Sequence, residues 1–285
     1  MSETAFQTQY RQQAIDGFEQ LQSITRDSTT TEAQIKGNTA VFLVASSGGA
    51  QAVTRGVNGR IPGRADSLTQ NSCTLAEWHD VPERTGFNIF ASQGDGNAIM
   101  QRTSMGVINR KIDTDIIAAL QTATVFAGLA ATTASVMLAL RAKTILGVAQ
   151  VPFDGNIWAL ITPAFEAYML DSTEFSSSLY VRKQPIDTGE TAWSDKPGYY
   201  DYMGIKWIVS PLLPGIGTSA ETCFMYHKSA IGHAADVQNM QTFVDYDKRH
   251  DFSYCRTSIY MGSKLLQNAG VVCFRHDGSA LAGTA

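Results

Sequence analysis

Two strand-like runs, Thr39-Ala40-Val41-Phe42-Leu43-Val44 and Ser72-Cys73-Thr74-Leu75-Ala76-Glu77-Trp78, are separated by a stretch from Ser46 to Asn71 containing Gly48, Gly49, Gly56, Gly59 and Gly63. Loops longer than about 12–15 residues are uncommon in compact domains unless they are functional. Glycine at this density leaves little to bury. Arg55, Arg60 and Arg64 add positive charge there, with Asp66 as the only nearby acid. The pattern predicts two strands flanking a long, basic, glycine-rich tip, which suits docking better than packing.

The segment before this hairpin is polar. Residues 1–36 include Gln7, Gln9, Gln12, Gln13, Gln20 and Gln22, with apolar points at Ile15, Phe18, Leu21 and Ile24. Steps of three predict a short amphipathic helix with little core of its own, broken by Asp27-Ser28-Thr29-Thr30-Thr31. This is an arm that must lie on something else to be ordered.

After Gly94-Asp95-Gly96, Met105, Ile108, Ile112, Ile116 and Leu120 draw one apolar stripe at helical spacing. Lys111 and Asp115 stand four apart, close enough for a weak surface pair. A helix from Asn97 to Ala123 would extend about 40 Å at ~1.5 Å per residue. A second helix is expected over Ala131 to Gly147, with Pro152 preventing its continuation. Strands are expected at Ile157–Ala164, Ile205–Val209 and Thr222–Tyr226, then a short helix, Lys228–Ala235, with a loop-rich region from Thr188 to Tyr202 between them. Phe243–Tyr246, Phe252–Tyr260 and Val271–Phe274 read as three further strands. In the middle one, Tyr254, Arg256, Ser258 and Tyr260 alternate with Cys255, Thr257, Ile259 and Met261, a half-buried pattern. The class is α+β, without an internal repeat.

Composition narrows the partners. The chain has 285 residues, 44% hydrophobic and 17% charged, and a formal net charge of −4. This balance excludes collagen-like, disordered and mainly basic nucleic-acid-coating chains. Soluble chains average about 25% charged residues. The deficit fits either a large quiet core or a surface that meets other protein chains, because interface cores are depleted in charge.

Cys73, Cys223, Cys255 and Cys273 form no C-x-x-C pair, so reduced, buried thiols are the default. No basic and apolar leader opens the sequence, and no secretory signal is expected. Ile116 to Leu140 carries no charge but is interrupted by Gln121, Thr122, Thr124, Gly128, Thr132, Thr133 and Ser135, which argues against a membrane span.

Chemistry is sparse. Asp113 and Asp115, two apart on a helix, point to opposite sides and read as solvated charges. Ser46-Ser47-Gly48-Gly49 lacks the first glycine of a nucleophile elbow. Gly215-Ile216-Gly217 stands alone, and no phosphate-binding glycine-lysine motif occurs. His79, His227, His233 and His250 have no neighbouring nucleophile motif; hydrogen-bonded or surface roles are expected, and no cofactor or metal is implied. Only Arg55/Arg60/Arg64 and Lys248/Arg249 cluster as bases, too few for a nucleic-acid stripe.

The order arm, strand–long loop–strand, long helix, mixed domain and returning strands resembles the major capsid proteins of tailed bacteriophages with the Hong Kong 97-like fold. Lys36-Gly37-Asn38-Thr39-Ala40-Val41-Phe42 resembles the family's entry into its extended loop, and Cys73-Thr74-Leu75-Ala76-Glu77-Trp78 its return. Met105-Gly106-Val107-Ile108-Asn109-Arg110-Lys111-Ile112-Asp113 is similar to part of the spine helix, continued by Ile116-Ile117-Ala118-Ala119-Leu120. Cys223-Phe224-Met225-Tyr226-His227-Lys228-Ser229-Ala230-Ile231-Gly232 resembles a strand-to-helix segment of the axial domain. Tyr260-Met261-Gly262-Ser263-Lys264-Leu265-Leu266 with Gly270-Val271-Val272 resembles the closing element of the peripheral domain.

The resemblance implies an N-terminal arm (1–37), an extended loop (38–85), a peripheral domain with the spine helix (86–128), an axial domain (129–245) and return strands (246–285). It implies a non-enzymatic subunit forming hexamers and pentamers, then an icosahedral shell around double-stranded DNA held non-specifically on the inner face. The extended-loop tip, with Arg55, Gly56, Arg60 and Arg64, would contact a neighbouring copy. The implied location is the virion capsid, assembled in the bacterial host's cytoplasm, with a portal, a cement protein and no membrane as further expectations. Some members weld their shells through a lysine on the extended loop; no lysine lies between Lys36 and Lys111, so no such crosslink is expected. The arm is short beside the family's cleaved assembly domains, which makes a separate scaffolding protein the expectation. Two other readings stay open at this point: an encapsulin-like compartment, and an enzyme using His227 or His233.

Overall fold

The computed structural model describes residues 22–31, 33–47, 49–91, 96–128, 132–173, 199–236 and 241–281. Strands β1 (Gln34–Lys36), β2 (Thr39–Ser46), β3 (Ser67–Thr74), β4 (Ala76–Asp80) and β5 (Glu83–Thr85) precede helices α1 (Gly86–Ala91) and α2 (Gly96–Leu120). Then come β6 (Phe126–Gly128), α3 (Val136–Val148), β7 (Ile157–Ile161) and α4 (Pro163–Asp171). The chain closes with β8 (Tyr199–Tyr202), β9 (Ile205–Val209), β10 (Glu221–His227), β11 (Ile231–Ala235), β12 (Gln241–Asp247), β13 (Phe252–Leu265) and β14 (Val271–His276). The class is α+β, as expected. There are two compact units, and α2 and β13 contribute residues to both.

The larger unit takes in Ile24–Leu75, Thr114–Ala234 and Gly262 onward. Its six-stranded sheet has the order β6-β14-β10-β7-β9-β8. Alternation along the strands sorts side chains onto two faces. Ala159, Ile161, Trp207, Met225, Val272 and Phe274 form one core with Leu138, Ala139, Ala142 and Leu146 of α3 and Phe165 and Met169 of α4. Both helices start on side-chain caps: the Leu138 N–H donates to Ser135 Oγ, and the Phe165 N–H to Thr162 Oγ1 with Pro163 in the first turn. Such caps replace missing intrahelical partners and stabilise by about 1 kcal/mol each. The strand expected over Ile157–Ala164 therefore stops at Ile161; Thr162-Pro163 turns an apolar run into a helix start.

Phe224 and Tyr226, which alternate onto the opposite face, are also buried. Ser28 hydrogen-bonds the Tyr226 hydroxyl. The Thr30 N–H donates to Ile231 O at 3.0 Å, and the His233 N–H donates to Thr30 O at 2.9 Å. Thr25, Ser28 and Thr29 are buried. This corrects the expectation that the whole arm needs a foreign surface: the segment after Ile24 is tied to its own body by backbone and hydroxyl bonds, which leave no hydrophobic periodicity. The amphipathic helix expected around Ile15, Phe18 and Leu21, and most of the Thr188–Tyr202 loop, lie outside the described residues.

The helix expected over Lys228–Ala235 is instead a single 3-10 turn, Lys228–Ala230, followed by β11. Pairing of β11 with β13 overrides a weak local helical preference. The expected solvated carboxylates are also corrected. Asp115 accepts the Ser263 Oγ–H at 2.8 Å, and Ser263 Oγ lies 2.9 Å from His233 Nδ1.

In the smaller unit, made of residues 22–23, Ala76–Asp113 and Ala235–Met261, β13 lies between β12 on one side and β4 and β5 on the other. Cys255, Thr257, Ile259 and Met261 are buried, as their alternation predicts. Ile108 and Ile112 of α2 are buried too, whereas Met105 of the same stripe is 45% exposed. Lys111 Nζ stands 3.7 Å from the Trp78 ring centroid, a cation–π contact. Asp113 is 1% exposed and accepts the Ser23 Oγ–H at 2.6 Å.

Candidate functional site

The hairpin formed by β2 and β3 changes character along its length. Its register runs from Thr39↔Thr74 to Ser46↔Ser67. At the base, Ala40, Phe42 and Cys73 pack with Ala234. A Cβ on Gly232 would lie 2.6 Å from the Phe42 ring, and one on Gly262 would lie 2.8 Å from Cys73 Sγ and 2.9 Å from Thr74 O. Two glycines thus let β11 and β13 close on the hairpin at distances no other residue permits. Gly262→Ala is expected to lower stability by about 1–3 kcal/mol through overpacking, read as a lower denaturant midpoint. Gly63→Ala, with nothing within 4 Å of the added carbon, is the control that stays unchanged.

Beyond the base the hairpin leaves the core within a residue or two. Leu43 and Leu68 are 63% and 65% exposed, and residues 49–66 are exposed throughout. The return strand begins at Ser67, earlier than the expected Ser72, and ends at Thr74. Its polar first half, Ser67-Leu68-Thr69-Gln70-Asn71, has no buried face and hence no alternation to read. At the tip, the Gly59 N–H donates to Gly56 O at 2.8 Å, and the Gly56 N–H to Arg60 O at 3.1 Å. Gly59 has φ +68°, a left-handed conformation that glycine adopts without strain. Residues 56–60 thus form a tight turn at the end of a long connection, which carries no strand pairing among its described residues between Ser46 and Ser67.

Arg55, Gly56, Arg60 and Arg64 all lie in this exposed segment. Arg64 pairs with Asp66. Between the arginines stand Val53, Val57 and Ile61, each at least 62% exposed. Their interleaving with arginine is visible in the sequence, but no periodicity marks them. These side chains bury little of their apolar area within their own chain. Full burial of each would contribute about 1.5–3 kcal/mol. The segment offers apolar area and positive charge to a partner.

The histidines serve local structure. His227 Nδ1 accepts the Ser229 N–H at 3.2 Å, and its Nε2–H faces Asp154 Oδ1 at 3.1 Å. Hydrogen bonding from Asn156, with a contribution from His227, holds the Asp154 carboxyl down at about 2. This serine–histidine–aspartate sequence caps a turn, because the ring lone pair already serves a backbone N–H. His79 bonds Ser258 and Glu77, and His250 bonds Asp247.

No motif or spacing in the sequence sets His276 apart. Its Nε2 lies 3.0 Å from Glu221 Oε2 and 3.1 Å from Thr162 Oγ1; Glu221 Oε1 accepts the Gly217 N–H at 2.8 Å. Burial pushes the Cys223 thiol up to about 12, and its Sγ lies 3.8 Å from His276 Nδ1. His276 and Glu221 are 0% and 1% exposed, so this cluster is closed to substrate. Among the described residues, no group of three His, Cys, Asp or Glu side chains is placed to hold a metal, and no helix is long and apolar enough to cross a membrane.

A family model described as phage capsid protein matches residues 3–277. The chain belongs to the phage capsid protein family. No curated protein matches it at the level of sequence. In structure, this capsid protein is similar to a protein of Mycobacterium phage Che8, with a TM-score of 0.70, 16% identity, and coverage of 96% of this chain and 98% of that one. It is also similar to the capsid of Ralstonia phage GP4, with a TM-score of 0.68, 9% identity and 96% of each chain covered. A third likeness is to the capsid of the native GTA particle, with a TM-score of 0.67, 11% identity and 97% of each chain covered. The fold is Hong Kong 97-like. Membership of this family gives the capsid protein a structural role in a virion shell built from many copies of itself.

Proposed function

We propose that this capsid protein is a non-enzymatic major subunit whose hexamers and pentamers close an icosahedral shell around double-stranded DNA, with the 38–85 hairpin reaching over a neighbouring copy. The observation that carries this reading is the projection itself: a basic and apolar tip, exposed throughout residues 49–66, on a base built tightly into the core. Arg55, Gly56, Arg60 and Arg64 are the proposed contact residues. The arm, now confined to the residues before Ile24, would lie on a neighbour, and residues 86–128, 129–245 and 246–285 would supply the peripheral, axial and return segments. A net charge of −4 for the whole chain disfavours tight non-specific binding of the packaged DNA. Scaffolding, portal and cement proteins complete the proposed partners, with assembly in the host cytoplasm.

Size-exclusion chromatography with negative-stain imaging tests the reading. Capsomers, tubes or shells are expected, most efficiently with the scaffolding protein; a persistent monomer under all assembly conditions would overturn it. Because no lysine lies between Lys36 and Lys111, mature shells boiled in denaturant should run as one subunit-sized band. A ladder of multimers abolished by cutting within the hairpin would contradict the absence of a loop-borne crosslink.

A further inference from the structure

The hairpin tip carries the only Asn–Gly step in the sequence, Asn58-Gly59. Asparagine followed by glycine is chemically special because no Cβ on the second residue obstructs attack of its amide nitrogen on the asparagine side chain. Three observations place this step where that attack is least hindered. Val57, immediately before it, is fully exposed. Nothing lies within 4 Å of the position a Cβ on Gly59 would occupy. The Gly59 N–H is held only by Gly56 O, across a solvent-exposed turn, where water can replace the lost partner; exposed turns of this kind open most readily.

We propose that Asn58 is a spontaneous deamidation site of the unassembled subunit, and that docking of the tip on a second copy protects it. In the first step the Gly59 amide nitrogen, giving up its proton, attacks Asn58 Cγ; the Cγ–Nδ2 bond breaks, ammonia leaves and a cyclic imide forms. Water then opens the imide to aspartate or isoaspartate. No oxidant or further reactant is required. The product places a negative charge among Arg55, Arg60 and Arg64, so ageing of a free subunit reduces the positive charge the tip offers. The protection half rests on the loop-docking reading above; the modification half does not.

Asn71 and Asn268 serve as internal references. Asn71 Nδ2–H donates to Leu266 O at 3.3 Å from within β3, and Asn268 Nδ2–H donates to Thr124 Oγ1 at 2.9 Å. The test incubates free subunits and assembled shells side by side at mildly alkaline pH, followed by peptide mapping for amide-to-acid conversion and isoaspartate. Conversion confined to Asn58 in free subunits, absent from the Asn58→Gln variant and suppressed in shells, is the expected result. An Asn58 amide as durable in free subunits as those of Asn71 and Asn268 would overturn the modification site and leave the docking reading standing. Equal conversion in free subunits and shells would overturn the protection, and with it a covered tip. Asn58→Asp, which installs the product charge, should fold normally and assemble less efficiently than wild type; unchanged assembly would refute the link between ageing and competence.

Discussion

Replacing His276 by leucine is expected to destabilise the folded subunit by about 1–3 kcal/mol, because Glu221 would remain buried without the ring's hydrogen bond. The partners leave little room for relief. Glu221 is 1% exposed, so bulk solvent does not already solvate the oxygen that the imidazole leaves. A His276→Leu/Glu221→Gln double variant should recover much of the loss, since an amide oxygen can still accept the Gly217 N–H now bonded to Glu221 Oε1. Urea denaturation of the two variants beside wild type decides this; equal losses in both would show that the charge left behind is not the cause.

The same cluster gives a pH dependence with a definite sign. Burial lowers the His276 pKa below its usual value, against the opposing pull of Glu221. The folded state therefore holds the ring neutral, while the unfolded chain takes up a proton near pH 6.5. The corresponding stability is present above about pH 6.5 and is lost as pH falls from there toward the depressed folded value. Asp154 and Asp277 are held low by hydrogen bonds, so their exposed contributions fade only at more acidic pH. Thermal unfolding across a pH series should show a decline for wild type between neutral and mildly acidic conditions that the His276→Leu variant lacks.

Reversing the tip charge, Arg55→Glu with Arg60→Glu and Arg64→Glu, should leave folding intact and lower the yield of shells more than tenfold. Exposed substitutions away from packed features change stability within about 0.5 kcal/mol, and this segment is exposed throughout. The assembly effect arises because a partner surface suited to guanidinium groups would face three carboxylates, and like-charge juxtaposition across an interface costs several kcal/mol. Circular dichroism with sedimentation velocity separates folding from assembly. Normal shells from the triple variant would end the docking role of these arginines.

What could be read from the sequence followed where burial imposes a period. The α2 stripe from Ile108 to Leu120 and the alternation in β13 were legible because each buries one face. The hairpin and its arginines were legible through glycine and charge. Polar construction hid the rest. Residues 25–30 are held by hydroxyl and backbone bonds, the first half of β3 pairs without burying a face, and Asp113 and Asp115 looked like solvated charges until Ser23 and Ser263 came into reach. Glu221 and His276 lie 55 positions apart in sequence and meet only because β10 pairs antiparallel with β14 in the register Glu221↔His276.

The two glycine-tight contacts at the foot of the hairpin make it a lever with a fixed fulcrum. Eight residues of each strand, at about 3.4 Å apiece, give a shaft of roughly 27 Å, so a tilt of about 10° at the foot swings its far end by about 5 Å. Bending along the exposed part of the shaft would let copies meet at different angles, as closing a curved container from identical pieces demands, while the packed foot keeps its place.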